Sequence, residues 1–328
     1  MWKPSSSVPS GLSPLWLAPL RGLTDAVYRT ALAQHFPGID LAIAPFVTTH
    51  SGPRIKTAHV RDLLPTNNRA LPVIPQILSK HPDDFVHLAN HLFELGYAGV
   101  NLNLGCPFPQ VANKGRGSGM LPFPERVDNF LETTIPRLTG RLSIKTRLGR
   151  HHPEEIQRLI PLFNRYPLQQ VIIHPRTGVQ MYTGHPNLEA FEACCAQLAH
   201  PVVYNGDINC LEDFHRLAQR FPTAAGWMIG RGVIANPFLP GNIKAGGDAW
   251  DNKVERFHRF HDDLFERYRL RLDGPGHLLN RMKGFWNYFP QRFRDSDKGR
   301  KRILKARSLE HYCDAVKVFF DSGPQWVG

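Results

Sequence analysis

A chain of 328 residues, 42% of them hydrophobic, is long enough to bury a large core and too apolar for global disorder. Lys and Arg total 40 against 28 Asp and Glu, a formal net charge of +12 that favours polyanionic partners over neutral metabolites. Five cysteines without a CxxC pair, two of them adjacent at Cys194 and Cys195, exclude a disulfide framework and a zinc site of the usual spacing, and they fit a reducing compartment.

The amino terminus, Met1-Trp2-Lys3-Pro4-Ser5-Ser6-Ser7, lacks the apolar run of a signal peptide, and no segment approaches the ~18 apolar residues of a membrane span. The expectation is a cytoplasmic monomer with no membrane association. Residues 1–14 read as an extension. From there to residue 242, short apolar segments alternate with longer amphipathic ones, the pattern of parallel strands each followed by a crossover helix. Strands are predicted at Leu15–Ala18, Leu41–Phe46, Val73–Leu78, Gly99–Leu102, Leu142–Thr146, Gln170–His174, Val202–Tyr204 and Gly226–Ile229. Helices are predicted among them at Pro82–Leu95, Pro124–Leu138, Pro153–Tyr166 and Leu211–Phe221, several opening on a Pro whose missing N–H costs nothing there. Ser51–Leu64 carries no regular pattern. Eight strands are the number that closes a (β/α)8 TIM barrel, which is the predicted α/β fold for residues 15–242. After Pro240-Gly241-Asn242 the alternation stops, and Ala245-Gly246-Gly247-Asp248 reads as a linker into Trp250. Phe257, Phe260, Leu264, Tyr268 and Leu272 then recur at mostly helical spacing, and a second such stretch runs from His277 to Tyr288, so residues 250–328 are predicted to form a small carboxy-terminal helical domain.

The strongest chemical signal is Asn103-Leu104-Gly105-Cys106-Pro107, which puts a thiol where the fourth strand opens into a loop. Barrel enzymes keep their chemistry at that rim. Gly115-Arg116-Gly117-Ser118-Gly119 follows, and its missing Cβ atoms are expected to let the backbone approach a ligand. Gln76, Lys145, Arg147, His174, Arg176, Asn205 with Asp207, and Arg231 also sit at or just past predicted strand ends, which a closed barrel gathers on one side. An ammonium at Lys145 is costly inside a barrel unless it faces an anion. Asn205-Gly206-Asp207 and Gly230-Arg231-Gly232 follow the seventh and eighth strands, where such barrels bind phosphate, and they imply a phosphorylated cofactor. Cys194, Cys195, Cys210 and Cys313 read as structural. The histidines show no ligand spacing, and no metal is expected. Residues 281–307 carry ten basic side chains against Asp295 and Asp297, a net +8 interleaved with aromatic residues, the best electrostatic footprint for a nucleic acid.

Together these motifs resemble the flavin-dependent tRNA-dihydrouridine synthases over roughly Leu17–Asn236, and more loosely in the tail. Leu17-Ala18-Pro19-Leu20-Arg21-Gly22-Leu23-Thr24-Asp25 is similar to the family's A-P-M-x-G-x-T-D opening, and Leu102-Asn103-Leu104-Gly105-Cys106-Pro107 to its L-N-x-G-C-P motif. Ile144-Lys145-Thr146-Arg147-Leu148-Gly149, Ile173-His174-Pro175-Arg176-Thr177 with Tyr182, Asn205-Gly206-Asp207 and Ile229-Gly230-Arg231-Gly232 follow in the family's order. The resemblance implies FMN as cofactor, NADPH or NADH as reductant, tRNA rather than DNA as partner, and reduction of a uracil C5–C6 double bond with Cys106 as proton donor. It implies Pro19, Leu20, Arg21, Gln76, Lys145, His174, Asn205, Gly206, Asp207, Gly230 and Arg231 as cofactor-binding residues, and Asn103, Arg176, Tyr182, Arg281 and Lys283 as contacts to tRNA. Leu20 stands where Met is common, Asn101 where Asp is usual, and Pro175 where Gly is usual. Arg281-Met282-Lys283-Gly284-Phe285-Trp286-Asn287-Tyr288 is similar to the R-x-K-x-W-x-x-Y helix of the subfamily modifying uridine-16. Two other readings stay open: an FMN barrel acting on a small pyrimidine in the manner of dihydroorotate dehydrogenase, and a tRNA-binding factor without turnover.

Overall fold

The computed structural model describes residues 13–52 and 54–327, so nearly all of the extension expected at residues 1–14 lies outside it. Eight parallel strands form its centre: β1 (Leu15–Leu17), β2 (Leu41–Ile43, resuming at Val47–Thr48), β3 (Val73–Ile74, resuming at Gln76–Leu78), β4 (Gly99–Leu104), β5 (Arg141–Gly149), β6 (Val171–Thr177), β7 (Val202–Tyr204) and β8 (Gly226–Ile229). The breaks in β2 and β3 contain Pro45 and Pro75, which have no N–H to give a ladder. Pairing nonetheless continues on both sides of them, Ala42 beside Val73 and Val47 beside Ile77. Each strand lies next to its neighbours in sequence, and β8 returns to β1 with Leu15 opposite Trp227, which closes the barrel.

The outer layer contains α1 (Ala26–His35), α2 (Pro82–Glu94), α3 (Pro124–Thr134), α4 (Glu155–Arg165), α5 (Leu188–Gln197) and α6 (Leu211–Arg220). Each turns an apolar stripe inward, as where Phe85 of α2 meets Phe130 of α3 edge to face, 5.3 Å between ring centres. Among the described residues, the connection from β2 to β3 has a short helix, Thr57–Val60, and two 3-10 turns, in keeping with the patternless sequence there. Within the barrel, Trp16, Leu41, Ile43, Ile74, Ile172, Val203 and Met228 form their own apolar cluster, while Gln76, Asn101, Asn103 and Ser143 add a buried polar layer on β3 to β5.

Strands β5 and β6 run about three residues beyond their predicted apolar segments, to Gly149 and Thr177. Their last inward positions carry Lys145, Arg147, His174 and Arg176, so hydropathy underestimates their length. A helix also crosses the predicted end of the barrel at residue 242: Leu239–Ala245 is helical and stops where Gly246, in the expected linker, takes φ +71°. Gly38, at φ +123°, packs on its Pro240, where a Cβ would come within 2.6 Å of backbone. Four further helices follow, α7 (Lys253–Arg271), α8 (Pro275–Phe285), α9 (Asp297–Lys305) and α10 (Leu309–Asp321). They share one core with the barrel through α1, whose Tyr28 stacks on Phe285 of α8 at 5.4 Å and meets Phe260 of α7 at 6.1 Å. Asp25 secures that joint. Its carboxylate caps α1 at the Tyr28 N–H, accepts the Tyr268 hydroxyl at 2.6 Å and pairs with Arg281 at 3.2 Å.

Candidate active site

At the carboxyl ends of the strands lies a cavity of about 290 Å³. Strand alternation explains its walls, because residues two apart share a face. Lys145 and Arg147 of β5 and His174 of β6 point into the barrel, and the loops after β1, β4, β7 and β8 bring Pro19, Leu20 and Arg21, Asn103 and Cys106, Asn205, Gly206 and Asp207, and Gly230 and Arg231 to the same space, with Tyr182 beside them.

Cys106 is 7% exposed and lines this cavity. Its loop is held by groups that sequence reading assigned elsewhere. The Asn103 side-chain oxygen accepts the N–H groups of Gly105 (3.1 Å) and Cys106 (2.8 Å), and its amide donates to Gln76 at 2.8 Å. Gln76 then donates to Asn101, and Asn101 to Ser143, so a buried chain of side-chain amides sets the cysteine loop from below. Asn103, expected on the substrate, therefore has its side-chain oxygen committed to the loop and its amide to Gln76. Gln76, expected on the cofactor, is fully buried within this chain and does not line the cavity. The glycine-rich loop expected to approach a ligand also packs behind the cysteine. Ser118 gives both its N–H (3.1 Å) and its hydroxyl (3.0 Å) to the Cys106 carbonyl. Gly117, at φ +57°, would put a Cβ 2.9 Å from that of Cys106, and a Cβ on Gly119 would sit 2.0 Å from the Ala112 carbonyl oxygen.

Arg147 is the residue that sequence reading undervalued, although its position two after Lys145 on a strand was signal enough. It donates to the carbonyls of Gly105 (3.0 Å) and Thr177 (2.7 Å), joining β4, β5 and β6 at the rim. Burial pushes the Cys106 thiol above its ordinary range, against the opposing pull of the Phe108 N–H, Arg147, Arg21 and Lys145, so it is a neutral thiol. Burial, reinforced by Arg147, brings the Lys145 ammonium down to about 7. Among the described residues Lys145 has no hydrogen-bond or ion-pair partner. Burial and the cations around it hold His174 well below its usual range, so the ring is neutral. Its Nε2 lies 3.1 Å from Arg176, which can only donate; the ring therefore accepts there and carries its proton on Nδ1.

Arg176, expected on tRNA, is 1% exposed and spends its guanidinium on Asp207, Thr183, Gly184 and His174. Asp207 holds Arg231 as well, at 2.8 Å. Burial opposes the charge on Asp207, but the two guanidiniums outweigh it and keep the carboxyl below its usual range. Asp207 thus aims Arg231, whose guanidinium lies 4.8 Å from the Tyr182 ring centre, with Arg147 at 5.5 Å. In the tail, Arg281 donates to the Gly22 carbonyl and pairs with Asp25, while Lys283 donates to the Ala306 carbonyl at 2.9 Å. Neither lines the cavity; both residues, expected on tRNA, join elements of the protein. The tail reaches the cavity through Tyr288, and Phe46 and Phe108 complete its aromatic lining. None of these three was singled out as a site residue from sequence.

A sequence model of the family described as Dihydrouridine synthase (Dus) matches residues 16–285. A Staphylococcus epidermidis protein named "Probable tRNA-dihydrouridine synthase" is 27% identical over 311 residues, 92% of either chain. One of the same name from Rhodobacter capsulatus is 26% identical over 271 residues, 81% of this chain and 82% of that one. Among solved structures, the old yellow enzyme homologue of Zymomonas mobilis superposes with a TM-score of 0.52 at 15% identity, covering 74% of this chain and 91% of that one. Morphinone reductase gives 0.52 at 13% identity, covering 73% and 88%. These structures share the barrel.

Proposed function

The chain belongs to the dihydrouridine synthase family, whose members are flavin-dependent oxidoreductases, and we propose that it reduces the C5–C6 double bond of uridine-16 in the D-loop of tRNA, with FMN as bound cofactor and NADPH as reductant. The observation that carries this reading is a neutral thiol, Cys106, sharing one cavity with the cationic groups of Lys145, Arg147 and Arg231.

The residues fit FMN by their own chemistry. Lys145 is a costly ammonium with no partner among the described residues, and a nearby anion restores its charge. Arg231 is pre-aimed by Asp207, and Gly206 and Gly230 present bare backbone beside it, a donor set suited to a phosphate. Pro19, Leu20 and Arg21, with Asn205, complete the expected cofactor wall. Held by these residues and reduced by the nicotinamide, FMN would supply the hydride that the uracil takes at C6. Cys106 gives its proton to C5, and the resulting thiolate, eased by the Phe108 N–H and by Arg147, takes a proton back from solvent. His174 lines the cavity as a neutral ring and so adds no charge there, and Lys145 offers a cation where negative charge accumulates.

A free pyrimidine would require neither Tyr288 at the cavity nor the basic face of α9, where Lys298, Lys301, Arg302 and Lys305 have no ion-pair partner among the described residues. Both features favour a polyanionic substrate over the dihydroorotate dehydrogenase type of reaction. The test is to map dihydrouridine in tRNA from cells lacking this protein. Loss at position 16, restored by the wild-type gene, is expected; unchanged tRNA would end the reading.

A further inference from the structure

We propose that the ring of Phe108 is a stacking platform for an unpaired nucleobase adjacent to the one reduced, so that a single segment, Cys106–Pro107–Phe108–Pro109, both carries the proton donor and seats the neighbour of its target. The inference rests on the reading that the substrate is tRNA.

Phe108 lines the cavity and is still 42% exposed. Six large hydrophobic side chains are exposed among the described residues, and Phe108, Val179 and Tyr182 all sit on the loops after β4 and β6, at the rim rather than scattered over the surface. The backbone beneath the ring is stiff. Prolines flank it on both sides, its carbonyl accepts the N–H groups of Val111 and Ala112 at 2.9 Å each, and the Pro107 carbonyl accepts Arg150 at 3.2 Å. A ring already fixed in place loses little freedom when a base stacks on it. Next to its backbone lies Arg150, whose guanidinium donates to the Pro107 carbonyl, Ser118 and Asn113 and has no ion-pair partner among the described residues. A rigid exposed ring with a cation that no carboxylate neutralises is the combination that holds single-stranded nucleic acid, with phosphate on the cation and base on the ring. The tail approaches through Tyr288, so the cavity has aromatic groups from two separate parts of the chain.

The test measures the dissociation constant of the full-length flavoprotein for a tRNA transcript, and for transcripts with an abasic residue on either side of the reduced uridine. Wild type is compared with Phe108→Ala, Phe108→Leu and Phe108→Trp, each checked for an unchanged melting temperature. Truncation to Ala is expected to weaken binding about tenfold, the lower part of the range for loss of one base–aromatic stack. Trp should restore binding and Leu should not, because the platform needs a π-face and not merely apolar volume. One abasic transcript should bind wild type about tenfold more weakly and leave Phe108→Ala indifferent. Wild-type affinity in Phe108→Leu, or an equal abasic penalty in wild type and Phe108→Ala, would overturn the platform. Dihydrouridine formation by wild type in the same samples reports separately on the substrate.

Discussion

Cys106 and Lys145 have their protonation shifted in ways that suit different tasks. Burial keeps the Cys106 thiol protonated through neutral pH, the state a proton donor needs and a nucleophile does not. Cys106→Ala is expected to leave flavin reduction by NADPH near wild type while tRNA reduction falls by about 10²- to 10⁴-fold, the usual worth of a positioned acid. Stopped-flow absorbance of the flavin separates the two half-reactions. Lys145, brought to about 7 in the fold, binds fewer protons there than in the unfolded chain, where an unperturbed lysine titrates near 10.4. Its contribution to stability is therefore unfavourable below about pH 7 and is relieved as pH rises from there toward 10. Lys145→Met should flatten that rise in a melting-temperature profile; a parallel profile would show that the ammonium is not strained. Flavin binding should return Lys145 toward its ordinary range, so FMN addition at pH 8 is expected to take up protons, read as a buffer-dependent heat in calorimetry.

The elements explain how much could be read from the chain. The eight strands were legible because each has a short apolar run, and β7 and β8 fall on the predicted residues. The tops of β5 and β6 were not, because the same inward alternation that makes a core places Lys145, Arg147, His174 and Arg176 there once the cavity begins. The helix Leu239–Ala245 was hidden by Pro240 and Gly241, which read as the end of the β/α alternation although Pro is accommodated in a first turn. Motif residues were legible as a set but not in their division of labour. Gln76, Arg176 and the glycine-rich loop hold residues that face the cavity, Asn103 both lines it and holds the cysteine loop, and only hydrogen-bond partners reveal that. Gly119→Ala tests the loop. With its Cβ 2.0 Å from the Ala112 carbonyl oxygen the backbone must move, at a cost of about 1–3 kcal/mol for overpacking. A lowered melting temperature together with faster modification of Cys106 by a thiol reagent is expected; unchanged thiol reactivity would detach this loop from the cysteine.

Across the whole molecule, the tail is built onto the barrel at the loop that also lines the cavity. Pro19, Leu20 and Arg21 wall the cavity, while Gly22 and Asp25, a few residues on, hold Arg281. Arg281 and Lys283 are thus engaged within the protein, and further along α9 presents Lys298, Lys301, Arg302 and Lys305 without an ion-pair partner among the described residues. Replacing Lys298, Lys301 and Arg302 together by Glu should weaken tRNA binding and reduce the slope of log affinity against log salt by about 3, one for each phosphate that is no longer neutralised. An unchanged slope would move the tRNA surface elsewhere. No helix among the described residues is long and apolar enough to cross a membrane.

Catalysis as proposed turns on the neutral thiol of Cys106 protonating a uracil drawn from tRNA into the flavin cavity. A single turnover of pre-reduced protein with tRNA in deuterated water, with the label located in the dihydrouridine by mass spectrometry, reads that step directly. Wild type should place one solvent-derived deuteron at C5, and Cys106→Ala should leave the uridine unreduced over the same interval. Labelled dihydrouridine formed by Cys106→Ala at the wild-type rate would mean that the C5 proton comes from another group.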